Sequence, residues 1–117
     1  MENLSFNEYQ REAKATAIYP NGLSEGIGLY PILGLAEEAG EVVGKVAKFI
    51  RKQGDQRSFA TEELSKDVAL EIGDCLWMIA NIAQDFGYNL EDVARMNLDK
   101  LRDRKERGVI EGSGDKR

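Results

Sequence analysis

Residues 33–45, LGLAEEAGEVVGK, and 69–77, ALEIGDCLW, decide how this chain is read. Both carry apolar residues at the three- and four-residue spacing of a helix, and neither alternates like a strand. In the first, the apolar side formed by Leu35, Ala39, Val42 and Val43 continues through Val46 and Ile50. Glu37, Glu38 and Glu41 take the opposite side: at about 100° per residue, Glu37 and Glu41 stand about 40° apart and Glu38 and Glu41 about 60°. In the second, Val68, Ala69, Leu70, Ile72, Cys75, Leu76, Trp77, Met78, Ile79, Ile82 and Ala83 cover most of the circumference, the pattern of a buried helix. Only a narrow acidic stripe, Asp67, Glu71 and Asp74, interrupts it, and the stripe holds no basic residue.

Further helices extend outward from these two. Residues 5–18 predict a first helix, capped by Ser5 or Asn7, with Glu8 placed three residues after Ser5 as in a capping box. YPNGLSEGIGLYP at 19–31 is a loop rich in Gly and Pro. The second helix is expected over 31–52, with Pro31 suited to its first turn. The polar run 53–61, QGDQRSFAT, leads to Thr61 as the cap of a third helix over 62–86. Gly87 ends that helix, Asn89 caps a fourth over 90–107, and Gly108 stops it. The tail 108–117, GVIEGSGDKR, is glycine-rich. No repeat and no second domain is visible, so the expectation is an all-α single domain over 1–117, a bundle of about four helices.

Composition narrows the function. The 117 residues are 42% hydrophobic and 32% charged, with a net charge of −5, ordinary for one globular domain. The negative balance argues against a nucleic-acid polymer as partner and leaves nucleotides open, because a bound cation reverses the local charge. Cys75 is the single cysteine, so no disulfide forms within the chain, which fits the reducing cytosol. The N-terminus MENLSFNEYQ is polar, unlike a signal peptide. No apolar run is long enough for a membrane helix. A cytoplasmic protein is expected.

The five carboxylates Glu37, Glu38, Glu41, Glu71 and Asp74 suggest the chemistry. In a chain without histidine, clustered carboxylate oxygens suit a hard divalent cation such as Mg²⁺. Taken alone, the second helix also reads as a solvated face with Glu41 pairing Lys45. Carboxylates in a buried third helix, however, need a cation, since unpaired they lie several kcal/mol uphill or shift their pKa upward. An Arg or Lys from elsewhere, or a metal shared with the second helix, would meet that need. Gly40, Gly44 and Gly73 each weaken a helix by about 1 kcal/mol relative to Ala and so suggest close approach of a backbone or ligand. With no histidine, no activated cysteine and no nucleophile elbow, water is the remaining nucleophile.

These motifs resemble the MazG-like family of all-α nucleoside triphosphate pyrophosphohydrolases. The family pattern, EExxE followed by ExxD, is matched by Glu37-Glu38-Ala39-Gly40-Glu41 and Glu71-Ile72-Gly73-Asp74, with residues 42–70 as spacer. NLDKLRDRKERG at 97–108 resembles the family's next helix, with Asn97 and Lys100 in its N-x-x-K pattern. The resemblance implies hydrolysis of a nucleoside triphosphate, expected to be a dNTP, between the α and β phosphates. It implies Glu38, Glu41, Glu71 and Asp74 as ligands of Mg²⁺ or Mn²⁺, with Glu37 as a further ligand or positioning the attacking water. Asn97 and Lys100 would lie near the phosphates, and Lys100 with Arg104 or Arg107 would balance the leaving pyrophosphate.

Other readings stay open. The acidic stripe could dock a basic partner in a non-catalytic helical interaction module, or the substrate could be a modified or alarmone nucleotide. Tyr19, Tyr30, Phe49, Trp77 and Tyr88 are candidates for stacking a base, Trp77 reading rather as core or interface. The GSG tail suits either an anion-binding nest or an irregular end. The third helix is apolar over more surface than three other helices can cover. A homodimer or homotetramer is therefore expected, as the resemblance also implies.

Overall fold

The computed structural model describes residues 2–20, 27–53 and 61–117. Four helices follow in order: α1 (Phe6–Ala15), α2 (Leu29–Gln53), α3 (Glu62–Asp85) and α4 (Leu90–Glu106). No strand occurs among the described residues, in agreement with the all-α expectation. The middle of the predicted loop and the polar run before Thr61 lie outside the described residues.

Local chemistry sets most helix ends. Ser5 Oγ accepts from the Glu8 N–H and Glu8 accepts from the Ser5 N–H, closing the predicted capping box. Thr61 accepts from the Leu64 N–H and caps α3. Gly87 and Gly108 have φ of 82° and 71°, and each closes a Schellman turn in which the next amide reaches back to Ala83 or Arg104. Three expectations need correcting. α2 begins at Leu29, two residues before the expected start, with Pro31 in its first turn as predicted, and α1 ends at Ala15, well before residue 18. Asn89 occupies the cap position of α4 without capping it through its side chain. α1 supplies the caps instead: Gln10 Oε1 accepts from the Leu90 N–H at 2.9 Å and Asn7 Oδ1 from the Glu91 N–H at 3.3 Å. Buried Gln10 also donates to the carbonyls of Tyr88, at 2.9 Å, and Ala80, at 3.3 Å.

α2 and α3 pair antiparallel, from Gly34 against Met78 at one end to Lys52 beside Thr61 at the other. The close approach is at Gly34, where a Cβ would stand 2.6 Å from Met78 Cε. Gly40, Gly44 and Gly73, expected to permit such an approach, have open space beside them. α1 and α4 pack over the C-terminal half of α3, and α4 makes no packing contact with α2. A small core of Ala13, Ala80 and Leu90 lies there, ringed by Tyr9, Leu76 and Trp77.

The third helix is less enclosed than its composition suggests. Among its residues Met78, Ala80 and Asn81 are buried, while Leu70 is 61% and Ile72 53% exposed. On α2, Val43 of the expected apolar side is 66% exposed. The radius of gyration, 17.4 Å, exceeds the value of about 13 Å for a compact chain of this length. One chain therefore leaves an unusual share of its apolar side chains uncovered.

Candidate active site

The orientation of α2 selects which glutamates meet α3. Gly34, Lys45 and Glu38 fall within about 40° of one another, with Phe49 and Val42 within about a further 40°. This is the side turned to α3, where Gly34 touches Met78. Glu38 is drawn partly inside, while Glu37, about 100° further round, is exposed, and so is Glu41, which flanks Gly34 on its other side at about 20°. On α3, Asp67, Glu71, Asp74 and Met78 form one stripe at four-, three- and four-residue steps. The Gly34–Met78 contact sets the helices so that Glu38 lies opposite Glu71 and Asp74.

One oxygen each from Glu38, Glu71 and Asp74 lies within 4.8 Å of the others. Glu38 and Glu71 are half-buried and Asp74 is exposed, so the acidic stripe is a half-open cleft and not a fully buried row. Burial raises the Glu38 carboxyl above its ordinary value, and the charges of Asp74, Glu37, Glu71 and Glu41 add to the rise. Burial and then the charges of Glu38, Asp74 and Glu71 push the Cys75 thiol up as well, which suppresses the thiolate and makes it a poor nucleophile. The donor set is all carboxylate, crowded and under mutual repulsion, and it fits a hard divalent cation.

Sequence reasoning missed the partner inside this cleft. Lys45 Nζ lies 3.5 Å from Glu71 Oε1, whereas Glu41 was the partner expected for it. The signal was available, since Lys45 follows Glu38 by seven residues and so shares its stripe. Tyr9 of α1 was also missed: burial, and then the Asp74 charge, raises its phenol, so α1 borders the cleft. Nothing local in the α1 sequence marks that position.

The basic residues predicted on α4 sit elsewhere in this chain. Asn97 and Lys100 line a second groove with Tyr88, Val93 and Met96. Lys100 Nζ is 3.3 Å and Arg104 Nη2 3.1 Å from Asp115 Oδ1, and those hydrogen bonds hold the Asp115 carboxyl below its usual range. Buried Arg104 donates also to the carbonyls of Asp115 and Gly114. Arg107 pairs with Asp103. The tail is therefore folded against α4 and offers carbonyls to arginines. Of the aromatic candidates, Tyr19 stacks at a tilt on Tyr30, 5.6 Å between centroids, and meets Trp77 edge-on at 6.1 Å. Trp77 Nε1 donates to Thr16 Oγ1 at 2.8 Å, which ties it to α1.

Comparison with known proteins gives the family. The family described as MazG nucleotide pyrophosphohydrolase domain matches residues 30–109, a span holding all five carboxylates. The chain is 42% identical to the Gene 37 protein of Mycobacterium phage L5, over 93% of its own length and 96% of the relative's. It is 34% identical to the uncharacterized protein YvdC of Bacillus subtilis (strain 168), over 62% of this chain and 70% of that one. No solved structure gives a significant match, and among the described residues no helix is long and apolar enough to cross a membrane. Two carboxylate motifs brought together by an antiparallel helix pair, inside a matched span of that length, place this chain in the MazG nucleotide pyrophosphohydrolase domain family.

Proposed function

We propose that this protein hydrolyses a nucleoside triphosphate, a dNTP foremost, to the monophosphate and pyrophosphate with Mg²⁺ or Mn²⁺ as cofactor. The observation that carries the reading is the convergence of Glu38, Glu71 and Asp74 oxygens within 4.8 Å in a chain of this family. Those three residues, with Glu41 from the adjoining turn, would hold the ion. When bound, it supplies charge neutralisation at the phosphate oxygens. Glu37, exposed at the rim, orients the attacking water and accepts its proton. The Lys45 ammonium, now on Glu71, keeps the cleft from carrying its full negative charge before substrate arrives.

Attack at the α-phosphorus releases pyrophosphate in one step. In ¹⁸O water the label is expected on the monophosphate, with no diphosphate formed and no turnover in EDTA. Label on pyrophosphate, or orthophosphate and a diphosphate as first products, would refute the reaction class. No metal-dependent turnover across a panel of nucleotides, modified and alarmone nucleotides included, would favour the docking module.

The same reading includes a homo-oligomer, a dimer or tetramer in the cytoplasm. Leu33 and Val43 on α2 and Leu70 and Ile72 on α3 are each more than half exposed, and apolar surface of this extent marks an interface. A monomer at micromolar concentration in sedimentation would refute it.

A further inference from the structure

We infer that the cavity next to the carboxylates, walled by Lys45, Lys48 and Lys52, holds the β- and γ-phosphates of the substrate and the pyrophosphate that leaves. This rests on the reaction proposed above and adds a binding site to it. The cavity has a volume of about 440 Å³ and lies between α2 and the first turns of α3, with Thr61, Glu63, Leu64 and Asp67 on the facing wall.

Its place follows from the helical register. Lys45, Lys48 and Lys52 share one stripe within about 60°, and it is the stripe of Gly34, Glu38 and Glu41. The α3-facing side of α2 thus changes from acidic to basic between Glu41 and Lys45. On α3, Asp67 precedes Glu71 by one turn, so cavity and carboxylate cleft are continuous. Lys45 belongs to both, as a wall of the cavity and at 3.5 Å from Glu71.

Charge and hydrogen-bonding capacity match a polyphosphate. A triphosphate carries more negative charge than one divalent cation neutralises, so cations are needed beside the carboxylates. Within this chain α4 does not supply them, because it makes no contact with α2 and its Lys100 and Arg104 are on Asp115. Lys48 and Lys52 form no ion pair among the described residues. Both are exposed and line the cavity across from Glu63 and Asp67, free to turn onto an anion that enters it. At the far end α3 begins, where the Glu62 and Glu63 amides have no intrahelical acceptor and the helix terminus favours an anion. The α-phosphate at the carboxylates and the tail at the lysines give the substrate one direction along α2.

The test is calorimetric binding of inorganic pyrophosphate and of nucleoside monophosphate with Mg²⁺, alongside steady-state kinetics, for Lys48→Ala/Lys52→Ala, Lys48→Arg/Lys52→Arg and Lys14→Ala. The double alanine variant is expected to weaken pyrophosphate binding, and to raise KM for the triphosphate, by about tenfold or more. Its kcat should stay within about threefold and its monophosphate binding should be unchanged. The arginine pair should restore pyrophosphate binding, and Lys14→Ala should match wild type. Pyrophosphate affinity and KM unchanged in the double alanine variant, in a protein that still hydrolyses triphosphates, would overturn the cavity's role and leave the activity standing. Lysine-dependent pyrophosphate binding without turnover of any triphosphate would instead overturn the activity and keep the site.

Discussion

Replacing Glu38 with glutamine tests whether the carboxylate cleft is an electrostatically loaded site. Its oxygen is within 4.8 Å of oxygens of both Glu71 and Asp74. Unit charges at that separation repel by about 0.9 kcal/mol each in a water-like dielectric, the fitting choice for a half-open cleft. Lys45 offsets part of this through Glu71, leaving a net strain of about 1 kcal/mol, and relieving it raises the midpoint of thermal unfolding by about 4 °C in a domain of this size.

The pH dependence has a definite sign. Glu38 has its folded pKa above the ordinary 4.5, so between those two values the folded state binds more protons than the unfolded one. Stability therefore falls as pH rises through that window and is steady above it. Glu38→Gln removes this fall, so its advantage in EDTA should be full near neutral pH and vanish near pH 4. Calorimetry at several pH values reads the difference, and Mg²⁺ should stabilise wild type more than the variant. A variant no more stable than wild type at neutral pH in EDTA would refute the reasoning, and near-wild-type turnover by Glu38→Gln would refute the site assignment.

Other outcomes follow from single contacts. Asp74→Asn should nearly abolish pyrophosphate release while leaving the far-ultraviolet dichroism of the helices unchanged. Gln10→Ala should destabilise the fold by about 3 kcal/mol in urea titrations, since it strands the buried Leu90 amide and two carbonyls. Gly34→Ala should be less stable than Gly40→Ala in the same assay, because a Cβ at 34 meets Met78 while one at 40 meets open space and gains up to about 1 kcal/mol of helix propensity. Asp115→Asn should speed hydrogen exchange across 109–117. Acid should act likewise: the Asp115 pKa is lowered, so its contribution is present above the ordinary 3.8 and is lost as pH falls through the folded value.

The helices and most of their ends were legible in the sequence because they are local. Ser5 with Glu8, Thr61, Gly87 and Gly108 act on amides and carbonyls a few residues away, and helical spacing alone puts Glu37, Glu38 and Glu41 on one side. The EExxE and ExxD motifs likewise marked the family, since they lie within single turns. The tertiary structure decided the rest, because those outcomes depend on how one helix is rotated against another. The packing of α2 on α3 brings Glu38, and not Glu37 or Glu41, into one cluster with Glu71 and Asp74. The same rotation gives Lys45 to Glu71 and sets Lys48 and Lys52 along the cavity, while Val43 is left exposed. Asn89 lost its predicted cap to Gln10 and Asn7, residues about eighty positions away in the chain. No local pattern encodes a partner so distant, and only the packing of α1 across the start of α4 brings them together.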